Sequence, residues 1–345
     1  MPPVVEQPAH WTEAGAHPVA PGVYRIPLPL PLDGLTAVNA YLIEAGPGLI
    51  LIDPGWASRQ TEMAISSALR SLGHQLNDVT LCLATHHHWD HYTQAYAWRF
   101  TLGSRVLIGE HERHSIEDFG EDSSRFPNHA PLLLRCGAAD LAKRLVTRTP
   151  PSHEIGVPFG VPDGWLKHGD RVELSAGHAL EVMATPGHTR GHVAFYHRGL
   201  GLLFSGDHVL PAITPSIGFE LVPESQPLRS FLASLRLVRE LPDAVLLPSH
   251  GPVTASAHVR IDDLFDHHRQ RLTRVADEVA GGADTAYAVA RMLPWTRRAV
   301  RFDDLPLDHQ LSAITEIDAH LDVLAFLGRV THQDAGLVRS YTVAQ

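Results

Sequence analysis

The chain is poor in cysteine, in long apolar runs and in clustered positive charge. Its two cysteines, Cys82 and Cys136, form neither a CxxC pair nor a disulfide framework, which favours a reducing compartment. No uninterrupted apolar run approaches the roughly 18 residues of a membrane span. The N-terminal stretch MPPVVEQPAHWTEAGAHPVAPG lacks the basic start and apolar core of a secretory signal. The expected location is cytoplasmic, with no membrane partner. A formal net charge of −10 and the want of a long basic stretch argue against a polyanionic partner, so nucleic acid is disfavoured. With 44% hydrophobic and 19% charged residues, the composition is that of a soluble globular protein. A chain of 345 residues has room for two domains and ample core.

What the chain does have is histidine, 24 in all. Most lie outside any pattern and read as ordinary surface or core residues. The exception is Thr85-His86-His87-His88-Trp89-Asp90-His91. It follows the apolar run Val79 to Ala84, which reads as a short buried strand. A strand end opening into a loop lets several side chains converge, and neutral imidazole with carboxylate suits zinc. A tag-like polar loop is the bland alternative, but a tag has no interleaved Asp at fixed spacing. The same grammar recurs downstream, in Thr185 to His192 (TPGHTRGH), Leu202 to His208 (LLFSGDH) and Val245 to Gly251 (VLLPSHG). Each places a potential ligand where an apolar run stops.

Residues 1 to about 20 read as a mobile lead-in. Ala37 to Ile43 and Gly48 to Asp53 are strands, Ser58 to Leu72 a helix ending at Gly73, Thr93 to Arg99 a helix, and Ser104 to Ile108 a strand. Asp53 before Pro54-Gly55 is either a turn residue or an acceptor that orients a ligand histidine. Residues 110–168 form an insertion with one amphipathic piece around Leu132 to Val146, either a lid or pocket wall or a structural embellishment or dimer contact. Phe126, His129 and Trp165 are its residues of first interest. Residues 21–255 then form an α/β layered catalytic domain. Residues 256–345 turn helical, with a linker helix, a short helix capped by Thr285, a third helix from about Leu307, and a hairpin around Asp334-Ala335-Gly336. That order suggests a winged-helix module.

These motifs, HxHxDH at His86 to His91, GH at His188, GD at Asp207 and SHG at His250, resemble the metallo-β-lactamase superfamily over residues 22–254. The tail is similar to the winged-helix module of β-lactamase-like hydrolases. The resemblance implies an αββα sandwich followed by a small, mainly helical domain. It implies that His86, His88 and His188 hold one metal, that Asp90, His91 and His250 hold a second, and that Asp207 bridges them. Two Zn²⁺ ions are expected, with iron or manganese as alternatives. His87 should point away, while Asp53, His192, His208 and Ser216 are expected around the ligands or in the pocket.

Chemically, such a centre supplies hydroxide from a metal-bound water at neutral pH. Asp90 is the candidate catalytic residue, accepting a hydrogen bond from the water and later protonating the leaving group. The expected enzyme is a dinuclear zinc hydrolase acting on a small acyl substrate, a carboxylic thioester or ester. TPGHTRGH and GD are most similar to the glyoxalase II branch, but the tail lacks that branch's basic glutathione-gripping residues. Pro211 to Gly218 is apolar with two hydroxyls and suits an acyl group near the mouth. Single-stranded RNA is the alternative. Asp308, Glu316, Asp318 and Asp322 on the third helix, with Asp303 and Asp304 before it, would repel phosphates, and Arg297, Arg298 and Arg301 read as a solvated turn. A lactone is a further alternative. The helical module is also a candidate homodimer contact.

Overall fold

The computed structural model describes residues 10–32, 35–46, 48–119, 129–220, 222–296 and 298–344. Strands β1 (His17–Ala20), β2 (Val23–Pro29), β3 (Ala37–Glu44), β4 (Leu49–Ile52), β5 (Val79–Ala84), β6 (Arg105–Gly109) and β7 (Gly164–Leu166) lie side by side in chain order. Pairing is antiparallel from β1 to β4 and parallel from β4 to β7. The second sheet contains β8 (Arg171–Glu173), β9 (Ala179–Ala184), β10 (Val193–His197), β11 (Leu202–Gly206) and β12 (Val245–Pro248). Its strands are antiparallel except for the parallel β11–β12 pair.

The two-residue period of a strand sorts these side chains into layers. Tyr41, Ile43, Ile50, Ile52 and Leu83 from the first sheet pack against Leu180, Val182, Phe195, Phe204 and Leu247 from the second. The alternate residues Leu42, Leu51 and Cys82 turn to the outer layer, where α1 (Arg59–Ser71) and α2 (Trp89–Thr101) bring Ile65, Leu69, Tyr92 and Trp98. Because both faces are covered, the strands read as near-continuous apolar runs. The result is an αββα sandwich.

Between β6 and β7 the chain forms α3 (Arg113–Asp118), α4 (His129–Arg135) and α5 (Ala139–Val146). The outer layer of the second sheet is α6 (Pro227–Arg239), α7 (Ala257–Ala280) and part of α9 (Leu307–Phe326), with α8 (Ala286–Met292) between the last two. Phe231, Leu235, Ile261, Leu264, Ala319 and Val323 share that core, so packing is continuous across residue 255. A further core joins Leu133, Leu141 and Leu145 to Val275, Val289, Ile314, Ile317 and Tyr341. Tyr341 lies on β14 (Val338–Val343), which pairs with β13 (Val330–Ala335) as the expected hairpin.

Four expectations need correction. The lead-in is not free of structure: residues 17–20 form β1, and the Trp11 carbonyl accepts the Arg25 guanidinium. The metal motif is not wholly a loop. Its last three residues begin α2, because His88 takes the N-cap position and Asp90 suits the positive end of the helix dipole. The one amphipathic piece expected in the insertion is two helices, α4 and α5, which join the C-terminal core, and β7 extends the first sheet. Finally, α9 is no exposed acidic helix. Thirteen of its twenty residues are buried, Glu316 and Asp318 among them, so it presents no reading face.

Candidate metal centre

The candidate ligands meet where strands of both sheets end. β4 leads into Asp53, β5 into His86 to His91, β9 into His188, β11 into Asp207 and β12 into His250. Backbone bonds stitch this edge: Asp53 N–H to Leu83 O (2.9 Å), Val193 N–H to Thr85 O (2.8 Å), Ser249 N–H to Gly206 O (3.2 Å) and Asn39 N–H to Ser249 O (2.7 Å). Gly206 turns the chain at φ +54°, and a Cβ there would stand 2.5 Å from His192 Nε2. Only glycine fits that corner.

Three groups of donors form: His86, His88 and His188; His86, His91 and Asp207; and Asp90, His91 and His250, with the atoms of each within 4.8 Å of one another. Asp207 lies between, Oδ2 3.5 Å from His188 Nε2 and Oδ1 3.5 Å from His250 Nε2 and 3.8 Å from His91 Nε2. Asp90 Oδ2 is 3.5 Å from His91 Nε2 and 3.4 Å from His250 Nε2.

The outer nitrogen of each imidazole is fixed. His88 Nε2–H donates to Phe219 O (3.0 Å), His188 Nδ1–H to Ser216 O (2.7 Å), His91 Nδ1–H to Asp53 Oδ2 (2.9 Å) and His250 Nδ1–H to Ala37 O (2.8 Å). Thr85 spends its only hydroxyl proton on Asp53 (2.8 Å), so His86 Nδ1–H donates to Thr85 Oγ1 at 3.0 Å. In the neutral form that metal binding requires, each ring therefore turns a lone pair inward, as metal-ligating histidines do. His86 Nε2, His91 Nε2, His250 Nε2 and Asp207 Oδ1 are buried without a hydrogen-bond partner. The His88 Nδ1 and His188 Nε2 lone pairs face each other at 3.1 Å. Buried, unpaired acceptors converging on one volume suit divalent cations, and this donor set fits them.

Electrostatics separates the two sides. Burial, then the neighbouring imidazoles, holds His86 and His88 well below the ordinary histidine value. Burial also acts downward on His91, but Asp90, Asp53 and Asp207 outweigh it and raise that imidazole well above its ordinary value. For Asp90 burial acts upward, yet His91 and His250 keep the carboxyl well below its usual range, so it is ionised. Asp90 and Asp207 retain 12% and 9% side-chain exposure, against 3% for His250, and His88 is half-buried, so the centre opens along Asp90, Asp207 and His88.

Asp53 resolves as an orienting acceptor: besides His91 it accepts Thr85 N–H (2.7 Å) and Ser249 Oγ–H (2.9 Å). His192 accepts Asp207 N–H at Nε2 (3.2 Å) and donates from Nδ1 to Thr185 (2.7 Å), so it aims the Asp207 turn. His87 points away, to the buried Glu112. Ser216 acts chiefly through its carbonyl. His208 packs on Phe231 (5.0 Å between rings), and burial holds its pKa down at about 3; among the described residues it makes no bond to a candidate ligand. His129 stacks edge-on against Phe219 at 5.0 Å, Trp165 sits under Arg113, and Phe126 lies outside the described residues. Asn39 carried a signal, a lone amide in an apolar strand: its Nδ2 donates to Pro248 O and Gly251 O, clamping the His250 turn. The carbonyls of Ala37 and Phe219 carried none.

Residues 33–250 match the Metallo-beta-lactamase superfamily. The chain belongs to that superfamily. Over 320 residues it is 24% identical to a probable metallo-hydrolase, YqjP, of Bacillus subtilis, covering 87% of this chain and 90% of that protein. Shorter matches reach a hydroxyacylglutathione hydrolase of Fuscovulum blasticum (30% identical, 54% of this chain and 52% of the relative) and an atrochrysone carboxyl ACP thioesterase of Aspergillus terreus (26%, 71% and 59%). The fold matches a metallo-beta-lactamase family protein of Thermus thermophilus at a TM-score of 0.73 and 27% identity, covering 94% of this chain and all of that one. The superfamily implies divalent metal ions, and no helix among the described residues is long and apolar enough to cross a membrane.

Proposed function

We propose that the chain is a dinuclear zinc hydrolase of carboxylic thioesters or esters. The observation that carries the reading is the inward-facing set of buried, unbonded donors on His86, His91, His250 and Asp207. His86, His88 and His188 would hold one ion, Asp90, His91 and His250 the other, and Asp207 both. When bound, such ions polarise a carbonyl and acidify water. Asp90, ionised and on the open side, accepts the hydrogen bond of the attacking water and carries its proton to the leaving sulfur or oxygen. Asp53, Thr85 and the Ser216, Phe219 and Ala37 carbonyls keep the imidazoles from turning. Ser216 lies on the Pro211–Gly218 segment, whose Ile213 is 45% exposed; an apolar rim beside the centre suits an acyl chain. Likeness to a hydroxyacylglutathione hydrolase and an ACP thioesterase supports the same chemistry. We read α8, α9 and the β13–β14 hairpin as a winged-helix-like unit packed on the catalytic fold, with α9 buried inside it.

The test is thiol release by zinc-loaded protein from a panel of acyl-CoA and acyl-glutathione thioesters. Turnover is expected on at least one member, and Asp90→Asn should reduce it by about 10²–10⁴-fold. Silence across the panel, in protein shown to hold metal, refutes the thioester reading and moves the search to lactones and single-stranded RNA.

A further inference from the structure

One buried carboxylate outside the donor groups touches both segments that carry His86, His88 and His188. Glu112 ends the short turn Glu110–Glu112 after β6 and is 1% exposed. Its Oε2 pairs with His87 Nδ1, and its Oε1 accepts the Thr189 hydroxyl. His87 stands between His86 and His88, and Thr189 follows His188. A single side chain thus bridges positions a hundred residues apart in sequence. The outer nitrogens of His88 and His188 are anchored elsewhere, on Phe219 O and Ser216 O, and their inner nitrogens face each other at 3.1 Å. A backbone bond from Val193 N–H to Thr85 O also ties the two segments.

Backbone packing brings Glu112 there. A Cβ on Gly191 would overlap the Glu112 backbone nitrogen, and one on Gly109 would overlap the Gly191 carbonyl oxygen. Two glycines set back to back let the turn after β6 press against the His188–His192 loop, which gives the second glycine of TPGHTRGH a steric reason. Burying a carboxylate is costly unless it is paired, and Glu112 has both oxygens engaged.

We propose that Glu112 is a positioning residue that sets the spacing of the His86/His88 segment from the His188 segment, and thereby the affinity of the three-histidine metal position. The inference rests on the dinuclear reading above. Selectivity follows from the anchors: His91 is held by Asp53 and His250 by Ala37, neither of which touches Glu112.

The experiment is a titration of metal-free full-length protein with Zn²⁺ against a chromophoric chelator, paired with the visible spectrum of the Co²⁺-loaded protein. His88→Ala identifies which binding step belongs to the three-histidine position. Glu112→Ala is expected to weaken that step by about 10–100-fold, alter the Co²⁺ bands and leave the other step as in the wild type. Thr189→Val, which cuts one arm of the bridge at nearly constant volume, should weaken the same step by less. If Glu112→Ala does not fold, Thr189→Val decides alone. A folded variant with both steps unchanged overturns the proposal, and so does equal weakening of both. Wild-type protein that takes up fewer than two ions overturns the dinuclear reading instead, and the variants then decide the bridge by whether the remaining affinity falls.

Discussion

At Asp53 one carboxylate accepts Thr85 N–H, Thr85 Oγ–H, His91 Nδ1–H and Ser249 Oγ–H. The backbone there adopts φ +50°, a region asparagine shares with some ease, so Asp53→Asn tests the chemistry without changing the turn. An amide presents one acceptor oxygen and a donor that faces donors. Metal affinity is expected to fall by about 10–100-fold, read by chelator competition, and an unchanged affinity would show that His91 needs no such orientation. Asp322 offers a pH test away from the centre. Burial and Asp318 push its carboxyl up to about 7, against the opposing pull of Arg135 and Arg339. A carboxyl raised in the folded state contributes stability that is fully present below its unfolded value of about 3.9 and lost as pH rises through about 7. Asp322→Asn stays neutral, so its melting temperature should gain on the wild type between about pH 4 and pH 7. A difference that does not move across that window counts against the assignment.

Among the C-terminal elements, α7 touches the rim segment beside the site. Arg260 donates to Leu210 O at 2.6 Å and Ile213 O at 2.9 Å, tying the start of the rim segment to a helix that sequence reading placed in another domain. Arg260→Ala should raise KM severalfold while changing kcat little, because it loosens the rim and touches no candidate ligand. Steady-state kinetics on the best thioester decides, and a fall in kcat alone would refute it. The strands and α1 were legible because both faces of each sheet are covered and the apolar runs are bounded by Gly, Pro and Asp. The seven candidate ligands were legible because chemistry restricts which residues hold metal and each ends an apolar run. Glu112 was not, since an acidic residue after a strand looks like any solvated turn until folding supplies His87 and Thr189. The burial of α9 was misread for a related reason. Glu316 and Asp318 lie inside because Arg271 and Arg135 meet them there, and sequence does not show pairs so far apart.

For the molecule as a whole, the core shared by α4, α5, α7, α8, α9 and the hairpin sets how it unfolds. Leu141, 4% exposed, packs there with residues from the C-terminal helices. Leu141→Ala should cost about 2–5 kcal/mol, and hydrogen exchange should show protection falling in α4, α5 and α9 together. Loss confined to α5 would mean that the inserted helices open independently. The same packing bears on how such chains can be recombined. The C-terminal helices of one relative cannot be spliced onto the catalytic layers of another while leaving the helices at residues 129–146 behind, because the two segments bury each other's apolar faces. A viable chimaera must carry both pieces from one parent, although more than a hundred residues of sandwich lie between them.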